Sequence, residues 1–137
     1  MRVFECRVPA EYAPRLDDLD CAADWAVLGL DQAFSGEPAA LAVSPSRLNV
    51  SLSIAGFASS GLHWLTRQVN CKVQRNRQRA VQLSCATAKG VSGAPILGWE
   101  GGARATYGLN VVSSRVAGIA VTVALILKGF QNARRSY

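Results

Sequence analysis

The stretch LNVSLSIAGF, residues 48–57, alternates apolar and polar side chains, so Leu48, Val50, Leu52 and Ile54 share one face. A period of two marks a half-buried β-strand, because a helix would spread these four residues around its axis. Shorter apolar runs recur along the chain and predict strands over 2–8, 24–30, 64–73, 80–85, 96–99, 106–112 and 117–123. Gly56 is expected to end the LNVSLSIAGF strand, and EGGAR, residues 100–104, reads as a tight turn. Residues 9–20 read as an irregular acidic connection, with Asp17, Asp18 and Asp20 forming a solvated turn. Residues 124–135 suit a closing helix, with Lys128, Arg134 and Arg135 towards the end where positive charge is favoured. Short strands joined by turns predict an all-β barrel or sandwich.

The chain has 137 residues, half of them hydrophobic and 18% charged, which suits a globular protein with one sizeable core. Its net charge of +6 is concentrated in Lys72, Arg75, Arg77 and Arg79 and in the tail arginines. Arg75, Arg77 and Arg79 alternate, as one solvated face of a hairpin does. No aromatic residue is interleaved with them, so a base-stacking platform and a nucleic-acid partner are not expected. The apolar run 116–127 has 12 residues, fewer than the roughly 20 needed to span a bilayer. Residues 1–14 contain no apolar h-region, so the chain as written carries no export signal and reads as cytoplasmic or truncated.

Four cysteines, Cys6, Cys21, Cys71 and Cys85, show no C-x-x-C spacing, and the single histidine, His63, is not placed for zinc. No metal or cofactor is expected. Two disulfides would suit an exported protein, and four thiols a cytosolic one. Cys71 and Cys85 end two strand-like runs and could face each other across a hairpin.

Between two of the predicted strands lies GVSGAPIL, residues 90–97. Gly90 and Gly93 permit backbone angles closed to other residues, so successive N–H groups can point at one spot, as an oxyanion hole requires. The serine elbow of α/β-hydrolases, G-x-S-x-G, is excluded, because Ala94 fills its fifth position and a strand, not a helix, follows.

Three stretches, in order, resemble the trypsin-like (chymotrypsin-fold) serine peptidases of bacterial type. DWAVLGL, residues 24–30, looks like the segment whose aspartate orients the catalytic histidine. LSIAGF looks like a strand of the second barrel. CATAKGVSGAPIL, followed by YGLNVVSS, looks like the nucleophile loop and the strand edging the specificity pocket.

The resemblance covers about residues 3–124. It implies a remnant of a first barrel over 1–40 and a chymotrypsin-like second barrel over 41–137. It implies Ser92 as nucleophile, the N–H groups of Gly90 and Ser92 as oxyanion hole, and Asp24 as the triad aspartate. Residues near Ala86, Lys89 and Asn110 would line the substrate pocket, with no acidic group to favour Lys or Arg. The substrate would be a peptide or protein, and the family is usually secreted or periplasmic. Val91 stands where activated zymogens carry an aspartate, so that activation route is not expected.

The family's histidine lies upstream of the aspartate, and none precedes Asp24 here. His63 reads as a surface-loop residue. A serine hydroxyl is a weak nucleophile without a base, and in subtilisin removing the histidine costs about a million-fold in kcat. The expectation is a serine endopeptidase domain lacking its N-terminal part and inactive as written. The alternative is a non-catalytic pseudo-peptidase that binds peptides or protein partners.

Overall fold

In the computed structural model, the residues described are 1–10, 23–36, 40–41, 50–61, 64–77, 80–113, 118–122 and 134–136. The alternation of LNVSLSIAGF is realised as strand β3, Ser51–Phe57, which buries Leu52 and Ile54, with Val50 packed against the same core. Leu48 lies outside the described residues. Gly56 does not end this strand: it pairs with Thr66, and the ladder continues to Phe57 opposite Leu65. A Cβ at position 56 would stand 2.9 Å from the Ala94 Cβ, so this glycine serves close approach within the sheet.

β3 pairs with the long strand β4, Leu65–Arg77, which pairs in turn with β5, Ala80–Leu83. The register slips by one residue between Leu52 and Ile54, where Asn70 on β4 takes a φ of 61°. Asn tolerates this left-handed region better than most residues, and the extra residue forms a bulge. A second meander follows, made of β6 (Pro95–Glu100), β7 (Ala103–Ser113) and β8 (Gly118–Thr122). Gly101 and Gly102 turn β6 into β7 with φ values of 59° and 83°, the paired positive angles of a tight hairpin.

The two meanders close on each other through β3–β6 and β5–β8 pairs, giving a closed antiparallel barrel in the order β3-β4-β5-β8-β7-β6. Its interior holds Leu52, Ile54, Val73, Val81, Leu83 and Ile96, each 3% exposed or less. Tyr107 lies against the bare backbone of Gly98, where a Cβ would meet its ring at 2.7 Å, and its hydroxyl donates to the Trp99 carbonyl at 2.9 Å.

A separate three-stranded sheet, in the order β2-β1-β9, joins strands that precede and follow the barrel strands in the chain. β1 is Val3–Val8 and β2 is Val27–Leu30, paired antiparallel. β9, Arg134–Ser136, pairs with β1 through Cys6–Ser136, Arg7–Arg135 and Val8–Arg134. Arg134 and Arg135 are thus strand residues and not the end of a helix. The unpaired edge of β1 offers ladder hydrogen bonds that local sequence cannot reveal, and tertiary pairing outweighs a weak helical preference. The remainder of the expected helix, 124–133, lies outside the described residues, as do Asp17, Asp18 and Asp20.

Candidate functional site: the serine loop

The loop from Ser84 to Ala94 joins β5 to β6, and so links the two meanders of the barrel. Its start is held by the Cys71–Cys85 disulfide, with the two Cα atoms 5.1 Å apart. Its middle is held to the end of β3, where the Ser59 N–H donates to the Lys89 carbonyl at 2.8 Å. Its end is held by β7: the Gly93 N–H donates to the Asn110 carbonyl at 2.7 Å, and the Asn110 N–H donates to the Ala94 carbonyl at 2.9 Å. The Asn110 side chain, 0% exposed, adds a donation from Nδ2 to the Val91 carbonyl at 3.2 Å.

Gly90 and Gly93 take φ values of 93° and 80° on either side of Ser92. At Gly90 a Cβ would stand 2.7 Å from the Ser59 backbone nitrogen, so glycine is required twice over, by angle and by space. The loop uses its N–H groups selectively. Those of Val91, Gly93 and Ala94 donate to Ala88, Asn110 and Val91, while those of Gly90 and Ser92 donate to no described residue. Ser92 itself is exposed, on a scaffold whose neighbours Val91 and Ala94 are buried.

The other sequence-derived residues are placed as follows. Asp24 is exposed, between the buried Ala23 and Trp25 that anchor its segment just before β2. No hydrogen bond or ion pair among the described residues joins it to the serine loop. His63 lies outside the described residues. Lys89 is exposed and enters the loop's architecture through its carbonyl. Asn110 acts from inside the barrel as the clamp just described.

Ala86 lines a cleft of about 270 Å³ beside the loop, bounded by Ile54 and Gly56 of β3, Thr66 and Arg67 of β4, and Val91. Thr87 lines it too, 7% exposed, with its Oγ1 buried and without a hydrogen-bond partner among the described residues. Sequence reasoning missed Ser59 and Thr87. Ser59 acts through a contact with a segment far away in the chain and Thr87 only as part of the cleft wall, and neither stands in a recognisable local pattern. No group of three or more His, Cys, Asp or Glu able to hold a metal occurs among the described residues.

Fold and loop together define an all-β chain with a closed barrel that presents an exposed, glycine-flanked serine. No protein-family model matches the chain, and no match to a curated protein is found.

Proposed function

We propose that this chain is a trypsin-like serine endopeptidase domain of chymotrypsin-like barrel fold, with Ser92 as its nucleophile. In that reaction Ser92 Oγ attacks the scissile carbonyl, the amine leaves with a proton, and water then hydrolyses the acyl-enzyme. The observation that carries the reading is the pattern of backbone donors around Ser92. The N–H groups of Gly90 and Ser92 have no described acceptor, while the three interleaved with and following them are engaged. Donors fixed in place and left without an acceptor are what a developing oxyanion needs, since no reorganisation is required when charge appears. The Cys71–Cys85 disulfide supports work in an oxidising compartment, where the family is usually found.

The chain holds one histidine, His63, and no described contact ties Asp24 to Ser92. That observation favours the second reading, a pseudo-peptidase that binds peptide in the same cleft without cleaving it. On both readings the chain by itself is inactive as a peptidase. A fluorophosphonate probe tests the base: no labelling of Ser92 over hours is expected, and rapid labelling would refute the inactivity. A peptidyl boronate tests the oxyanion donors. Binding that is lost in Ser92→Ala supports the peptidase reading, whereas equal binding by both proteins leaves only the pseudo-peptidase. In-frame DNA upstream of Met1 encoding a Thr-Ala-x-His-Cys type motif would supply the missing base.

A further inference from the structure

The outer wall of the barrel carries a second cleft, of about 320 Å³, formed by β3, β4, β6 and β7. No residue of the serine loop lines it. Its polar lining is Arg67, Arg104, Asn70, Ser51 and Ser53, with no acidic side chain, and Trp99 supplies a flat wall. Trp99 is 65% exposed, and the Arg104 guanidinium lies 6.0 Å from its ring centroid. Arg67 Nη2 donates to Ser53 Oγ at 3.4 Å, and Ser51 Oγ donates to Asn70 Oδ1 at 3.4 Å, so neutral groups orient this lining. No carboxylate among the described residues pairs with Arg67 or Arg104.

Two cations facing one hollow repel each other, and an exposed indole leaves a large apolar face in water. A ligand that relieves both carries negative charge next to a flat ring. Charge also extends beyond the cleft: Lys72 is the pairing partner of Ser51 at its rim, and Arg75 follows on the same strand, both exposed. A line of cations leading away from an aromatic platform suits a linear polyanion rather than a single small anion.

We propose that this face binds single-stranded nucleic acid, one base stacking on Trp99 and neighbouring phosphates meeting Arg104, Arg67 and Lys72. The basic run of β4 has no aromatic residue in its own sequence. The fold provides one from β6, and with it Arg104 from β7. Arg67 borders both clefts, whereas Trp99 and Arg104 line this one and not the cleft beside the serine loop, so the inference does not rest on peptidase activity.

The test is fluorescence anisotropy of labelled oligothymidylate and oligouridylate with the full chain, titrated across salt concentrations. Trp99→Ala is expected to weaken binding by roughly tenfold or more, with Trp99→Phe retaining most of it. The double change Arg67→Ala and Arg104→Ala is expected to lower the slope of log K against log salt by about 1.4, at about 0.7 per phosphate contact. Trp99→Ala is expected to leave that slope unchanged. Absence of binding at low salt, or undiminished binding by Trp99→Ala, overturns the proposal. So does polyglutamate competing as well as oligothymidylate, which would make the face a receptor for acidic peptide.

Discussion

The segment around Ser92 and the segment around Asp24 are built in opposite ways. The serine loop is tied to three strands, by the disulfide to β4, by Ser59–Lys89 to the end of β3, and by Asn110 to β7. Among the described residues, the Asp24 segment is anchored by its buried neighbours Ala23 and Trp25, while the carboxylate stands exposed with no described link to the loop. An oxyanion hole is a property of one backbone segment, so a rigid loop can hold it alone. A triad needs side chains from separate segments brought to one point, and among the described residues no hydrogen bond or ion pair joins Asp24 to Ser92.

Breaking the tightest tether should have the largest effect. Cys71→Ala with Cys85→Ala opens a loop with a sequence separation of 14, and the chain-entropy model puts the cost at about 3 kcal/mol. Urea unfolding with and without reductant measures it, and a difference below about 1 kcal/mol would mean the loop is held without the disulfide. Next comes Asn110→Ala, which leaves the Val91 carbonyl without its Nδ2 donor inside the barrel. A loss of about 1–3 kcal/mol is expected, together with faster amide exchange at Gly93 and Ala94. Exchange unchanged at both amides would show that the β7 clamp does not order the loop. The smallest effect is expected from Asp24→Asn, within about 0.5 kcal/mol of the parent as for other exposed positions. A larger destabilisation would reveal a partner for Asp24 and erase the contrast between the two segments.

Strand positions were legible wherever the alternation was strong. Leu52 and Ile54 face the core as a period of two requires, and Gly101-Gly102 turn the chain where EGGAR announced it. Errors arose where a residue's role depended on a distant neighbour. Gly56 reads as a breaker in isolation, but it remains in β3 because Ala94 and Val91 need the space a Cβ would take. Arg134 and Arg135 read as a helix end, but the open edge of β1 takes them as a strand. At the site, Ser92 and its glycines stood out because a tight loop constrains residue type locally. Ser59 and Thr87 did not, since a carbonyl contact and a cleft wall place no demand on nearby sequence.

The amino-acid sequence alone determined that this chain is all-β, where most of its strands run, and that residues 90–93 form a glycine-flanked serine turn. Each of these follows from side-chain periodicity or from φ angles that only certain residues adopt, and both act over a few residues. Tertiary structure decided that two meanders close into a barrel and that the chain's end pairs with its beginning. It also decided that Asn110 clamps the serine loop from inside, and that Arg67, Trp99 and Arg104 share one hollow. These depend on which strand lies beside which, and pairing between strands is settled by the packing of the whole core.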